Sequence, residues 1–408
     1  MKNRSIKIIV CCIFIFLTIG TFSSAANHHP IAKHVDTSME NCQLSYEYYT
    51  YDRMTDLLYD LEESYSDIMS YTSLGTTYEG RNVWMVKLSD NVETNEDEPG
   101  VLLMGAHHGN EKPSYEMLIF FIKHIVESYG KENTDDDGDG SLNEDIIDGV
   151  DNDGDGQVDE DPSEDRVRDV IDNTEIFVIP MVNPDGVEAD TRKNRVPREG
   201  QTKNIGVDLN RNYDFKWELY DRFPVQYGNQ WTSNPESWNY RGENPFSEKE
   251  STAVKDFVES ENINISLSYH SYGEFIIYPW MHTSQITPHE DLFVSVGEGI
   301  SSISKYDFYK GGGTIFPWPG GTIGTSENWL YGEQNILSFT IELCKTRAPT
   351  NPTVVHDYCL NHVGVNLYVC ERASSIQIEK SVLSRSHSVP FIHFFSLLLK
   401  NKITFINL

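Results

Sequence analysis

The chain has 408 residues, 38% of them hydrophobic, with 63 Asp plus Glu against 32 Lys plus Arg. That apolar fraction supports an enzyme-sized core and excludes wholesale disorder. A net charge of -31 with no local basic patch excludes nucleic acid as a partner, because such a surface repels a phosphate backbone.

At the N-terminus, Lys2, Arg4 and Lys7 precede an apolar run from Ile8 to Ile19, and Ser23, Ser24 and Ala25 supply the small side chains a signal peptidase needs. Residues 1–25 therefore read as a secretory signal, and the protein as secreted. An N-terminal membrane anchor is the alternative, but the run is shorter than the ~20 residues of a span. Residues 26–44 follow as an N-terminal extension. Export leaves Cys42, Cys344, Cys359 and Cys370, which permit three pairings or none and match no zinc-binding spacing.

From Tyr46 to Asp90 a helix precedes a strand. Met54, Leu57, Leu58 and Leu61 recur at helical spacing, and after the turn EGR at 79–81, Val83 to Ser89 alternates. VLLMGA at 101–106 is a continuous apolar run of the kind a sheet interior takes, and Pro113 opens a helix with Met117, Phe120, Phe121, Ile125 and Val126 on its buried side. Further strands are expected at 174–182, 264–269 and 336–342, with helical patterns near 247–260, 289–304 and 356–374. This alternation predicts a single α/β domain over 45–375 with a largely buried sheet.

Two segments break the alternation. Residues 131–165 hold 16 acidic side chains and one basic one, which marks a surface insert. Within it TDDDGDGSLNED at 134–145 repeats as VDNDGDGQVDED at 150–161, a period of 16 residues. Asp135, Asp137 and Asp139, like Asp151, Asp153 and Asp155, alternate before a glycine and offer oxygen ligands for calcium, with Asp145 and Asp161 available to complete each shell. The period leaves no room for a helix after each loop, so the insert resembles thrombospondin type 3 loops more than a dockerin. The tail 376–408 ends in FIHFFSLLL at 391–399, too short to cross a bilayer. A tail without fixed structure fits it better than an interfacial or partner-binding segment that holds the protein at a surface.

The chemistry lies in GAHHGNE at 105–111, SYHSY at 268–272 and FTIEL at 339–343, each at the end of an apolar strand, where open α/β sheets bind ligands. His108 and Glu111, three apart on a turn, aim an imidazole and a carboxylate at one point. His270 adds a second nitrogen, and such a shell leaves a position open for water, as in catalytic zinc sites. His107 stands four before Glu111 and is read as a packing or supporting residue.

Together with YEGR at 78–81, NPDG at 183–186, RKNR at 192–195, GVDLNRNYDFKW at 206–217, IIYPW at 276–280 and GTSENW at 324–329, these pieces resemble the zinc metallocarboxypeptidases of the carboxypeptidase A, B and T kind over roughly 45–375. The resemblance implies a mixed, mainly parallel eight-stranded sheet flanked by helices, one zinc, and removal of a C-terminal amino acid from peptides or proteins. It implies that His108, Glu111 and His270 bind zinc and that Glu342 is the general base. It further implies that Arg192 steadies the oxyanion, that Asn210 and Arg211 hold the terminal carboxylate, and that Ser271 and Tyr272 line the substrate side. Glu327 falls at the floor of the pocket for the departing side chain, which suggests a preference for C-terminal Lys or Arg. Two positions depart from the family: Asn110 stands where an arginine is usual, and the tyrosine expected before GTSENW is replaced by Gly320 or, with an insertion, by Phe316. The alternatives are a cell-wall peptide or amide hydrolase of the same fold, and a calcium-dependent binding protein with an inactive enzyme domain.

Overall fold

The computed structural model describes residues 45–130, 164–222, 232–312 and 321–378. Its eight strands are β1 (Met69–Thr76), β2 (Asn82–Leu88), β3 (Gly100–Met104), β4 (Glu175–Ile179), β5 (Ile263–Ser271), β6 (Phe275–Tyr278), β7 (Asp307–Lys310) and β8 (Leu337–Leu343). They form one sheet in the order β1-β2-β4-β3-β5-β8-β6-β7. The central strands β4, β3, β5 and β8 are mutually parallel, whereas β2 meets β4, and β6 meets β8, in antiparallel pairs.

Every residue of β3 and β4 is buried, as expected for parallel strands covered on both faces. Among the described residues the helices of six residues or more are α1 (Tyr51–Tyr65), α2 (Lys112–Ser128), α3 (Glu164–Ile171), α4 (Pro184–Ala189), α5 (Lys249–Ser260), α6 (Glu290–Ser304), α7 (Ser326–Gly332) and α8 (Pro352–Ala373). Thr50 caps α1 by accepting from the Arg53 amide at 3.3 Å. Pro113 fixes the first turn of α2. Helix α8 packs between α2 and α6, burying Val363, Val365, Leu367 and Val369. Among the described residues no helix is long and apolar enough to cross a membrane.

Three strands escape the sequence reading. β1 is a half-exposed edge strand with the weakly patterned sequence MSYTSLGT, and β6 and β7 have only four residues each. Phe120 is half-buried rather than a core residue, stacking on His124 at 6.3 Å between ring centroids. Lys87, inside β2, is buried against Glu175 at 2.6 Å, which offsets the cost of burying its charge. Cys344, Cys359 and Cys370 are buried free thiols, while Cys42 lies outside the described residues.

Candidate active site

The loop after β3 turns sharply into α2. Ser114 Oγ accepts from the Ala106 amide at 3.0 Å and donates to the Glu111 carbonyl at 2.5 Å, closing the turn that carries His108 and Glu111. At Gly109 a β-carbon would fall 2.0 Å from the Gly186 carbonyl carbon, so only glycine lets this loop lie on the start of α4. Asn183 caps α4 through its Oδ1, and its Nδ2 reaches the carbonyls of His107 and Arg192 at 3.2 and 3.3 Å, joining the two segments.

His270, at the end of β5, stands directly beside Glu342 of β8 in the parallel ladder. Its Nδ1 lies 2.9 Å from Glu111 Oε2 and 3.2 Å from His108 Nδ1, and His108 Nδ1 lies 2.9 Å from Glu111 Oε1. Asp208 Oδ1 faces His108 Nε2 at 3.0 Å. With Asp208 accepting at Nε2, the tautomer protonated there would leave the Nδ1 lone pair for a metal shared with Glu111 and His270. All three residues are buried. Burial by itself would raise the Glu111 carboxyl, but His108 and His270 together hold it well below the usual carboxylate range. His270 is lowered, chiefly by burial, which favours the neutral, metal-ligating imidazole.

Asp208 links this group to the substrate side. It receives Arg192 Nε and Nη2 on Oδ2 at 2.9 Å and caps the short turn Leu209–Arg211 by accepting from the Asn210 amide at 3.1 Å. Burial opposes its charge, yet Arg192, His108 and Arg211 keep it ionised far below the ordinary value. Arg192 also approaches Glu111 Oε1 at 3.4 Å and rests over the Trp238 ring at 4.7 Å. Asn210 Oδ1 accepts from the Ser326 amide at 2.8 Å, and Arg211 Nη1 donates to the Asn210 carbonyl at 2.5 Å. Glu342 is pushed well above the usual carboxylate range, first by burial and then by Glu111, with Arg192 opposing. These groups surround one cavity of about 430 Å³, with Glu327 in its wall beside Thr325, Thr340, Ile277 and Met281.

The family model for zinc carboxypeptidases matches residues 54–358. This chain belongs to the zinc carboxypeptidase family. It is 26% identical over 313 residues to a zinc carboxypeptidase of Saccharothrix mutabilis subsp. capreolus, covering 72% of this chain and 62% of that one. It is 27% identical over 311 residues to carboxypeptidase A1 of Mus musculus, covering 73% and 63% respectively. The chain therefore spans less than two thirds of the length of these relatives. Among solved structures, bovine thrombin-activatable fibrinolysis inhibitor in complex with tick carboxypeptidase inhibitor shares the fold, with a TM-score of 0.60, 20% identity, and coverage of 81% of this chain and 98% of that one.

The family implies a zinc, and the donor set fits one. The ligand atoms of His108, Glu111 and His270 lie within 4.8 Å of one another. Two nitrogens about 2.05 Å from a tetrahedral zinc stand about 3.3 Å apart, close to the 3.2 Å between the two Nδ1 atoms.

The cavity brings together every expected zinc, substrate and catalytic side chain: His108, Glu111, His270, Arg192, Asn210, Arg211, Ser271, Tyr272, Glu327 and Glu342. Asn110 does not line it. His107 packs behind, fully buried, with Nε2 2.9 Å from the Tyr213 hydroxyl. The eight calcium candidates from Asp135 to Asp161, together with Gly320 and Phe316, lie outside the described residues. Sequence reasoning missed Asp208, which holds His108 and Arg192, and Trp238 and Arg347, which also line the cavity. Asp208 was findable as the acid two residues before Asn210, whereas Trp238 and Arg347 carry no local signal.

Proposed function

We propose that this protein is a secreted metallocarboxypeptidase that removes the last residue from peptides or proteins with a free C-terminus, preferring Lys or Arg. The observation that carries the reading is the convergence in one cavity of a three-ligand metal group, a carboxyl base on the adjoining strand and a guanidinium at the closed side. Zinc held by His108, Glu111 and His270 would supply a Lewis acid that polarises the scissile carbonyl and acidifies water.

The remaining work falls to the protein's own side chains. Arg211, held by the Asn210 carbonyl, offers its other N–H groups to the terminal carboxylate in a bidentate grip, and Asn210 adds a polar contact. Arg192, fixed in orientation by Asp208, donates to the oxyanion that develops on the scissile carbonyl. Glu342 takes the proton from the attacking water and passes it to the leaving nitrogen as the C–N bond breaks. Its ionisation is favoured by Arg192, by Arg347 and by any cation on the triad. Ser271 and Tyr272 line the substrate side.

Glu327 supports the basic preference. It is 2% exposed and, among the described residues, no Lys or Arg pairs with it. A buried carboxylate at a pocket wall is best compensated by a cationic guest. The duplicated loops at 134–161 support calcium binding in the insert, with a calcium-dependent rise in melting temperature as its check. Hydrolysis of N-blocked peptides ending in a free or an amidated carboxyl tests the main reading. Release of one terminal amino acid from the free form alone is expected, and equal cleavage of the amide would overturn it.

A further inference from the structure

The lining of the cavity is exposed at only four residues: Trp238, Tyr272, Gly273 and Arg347. They mark the mouth. If the terminal carboxylate lies on Arg211 and the scissile carbonyl near Arg192, the residues preceding that bond leave the cavity past these four. This step rests on the function proposed above.

The three arginines of the lining differ in how their charge is used. Arg192 is committed to Asp208 and Glu111, and Arg211 is tied to the Asn210 carbonyl. Arg347 forms no ion pair with a carboxylate among the described residues. Two residues earlier in the same loop, Lys345 has its charge met by Glu274 at 3.5 Å. The Arg347 backbone is nonetheless pinned to the site wall, because its carbonyl accepts from Ser271 Oγ at 3.0 Å, and its guanidinium stands 6.0 Å from the Tyr272 ring centroid. A cation with no carboxylate in contact among the described residues, felt by Glu342 only at longer range, is thus held at the mouth of a protein whose net charge is -31.

We propose that Arg347 forms an acyl-side subsite that selects an acidic side chain at one of the two residues preceding the scissile bond. Tyr272 buttresses the guanidinium, and the general negative field of the protein would otherwise disfavour such a substrate. An exposed pair of this kind supports a preference of about five-fold, and salt screens it.

The test uses N-blocked tripeptides in which the first or second residue is Glu, Gln or Lys and the other is Ala. The terminal residue is held constant as Lys or Phe, whichever is released faster, so the outcome does not depend on Glu327. The wild-type kcat/KM for Glu over Gln is expected to be about five-fold at one position near 0.01 M salt and to fall toward one at about 1 M. Arg347→Ala should bring the low-salt ratio to about one, and Arg347→Glu should invert it in favour of Lys. A wild-type ratio near one at both positions, or a ratio that survives Arg347→Ala, overturns the subsite while leaving the carboxypeptidase reading intact. Absence of hydrolysis of every peptide overturns both.

Discussion

Replacing Glu327 by glutamine removes a charge while keeping volume and shape. Glu327 sits in the first turn of α7, 2% exposed, with Ser326 Oγ 3.3 Å from its carboxylate. In the substrate complex its partner would be the ammonium or guanidinium of the departing residue, out of reach of bulk water. A hydrogen bond to a charged group contributes about 1.5–3 kcal/mol, and at about 1.4 kcal/mol per tenfold this is a loss of roughly 10- to 100-fold in kcat/KM. The loss should fall on peptides ending in Lys or Arg. Those ending in Phe or Leu should gain, because Ile277 and Met281 also line the cavity and the desolvated charge has gone. Measuring kcat/KM for Arg- and Phe-terminated versions of one blocked peptide, in wild type and variant, reads both effects. Wild-type protein that releases Phe at least as fast as Arg, or a variant that loses both equally, would refute the assignment of Glu327.

Glu342→Gln should lower kcat by about 10²- to 10⁴-fold while metal content and melting temperature hold, because the amide cannot accept the proton; kinetics with metal analysis checks this. Gly324 has φ +73°, and a β-carbon there would stand 2.2 Å from the Arg211 carbonyl oxygen. Gly324→Ala should therefore displace Arg211 and raise KM for free-carboxyl peptides more than it lowers kcat. Glu116 accepts from the Tyr46 hydroxyl at 2.5 Å and the Tyr49 amide at 3.0 Å, and burial pushes its carboxyl from 4.5 up to about 7. The folded state thus holds the proton more tightly than the unfolded one. The stability from this group is full below about pH 4.5 and is lost as pH rises through 7, a difference of roughly 3 kcal/mol. Glu116→Gln, whose oxygen can accept from the Tyr49 amide while its NH2 donates to the Tyr46 oxygen, should be more stable than wild type near pH 8 and no more stable near pH 4 in denaturant titrations.

The buried parallel strands were legible because continuous apolar runs such as VLLM and SFTI have few other uses. The candidate metal group was legible because His108 and Glu111 directly follow one such strand and His270 stands at the end of another. The edges were not, since β1 is half-exposed and β7 has four residues that alternate weakly. Asp208 escaped notice because its role depends on two partners, His108 and Arg192, that are 100 and 16 positions away. The mouth residues Trp238 and Arg347 lie in loops, where no periodicity exists to mark them and only the folded chain brings them to the cavity.

Zinc per chain, measured in the same sample as C-terminal hydrolysis while metal is withdrawn with 1,10-phenanthroline and then restored, tests the central claim most directly. The account predicts one equivalent of zinc in wild type, activity that falls and returns in proportion to it, and neither zinc nor activity in His108→Ala or His270→Ala. Undiminished hydrolysis by metal-free protein, or a full equivalent of zinc in either variant, would contradict it.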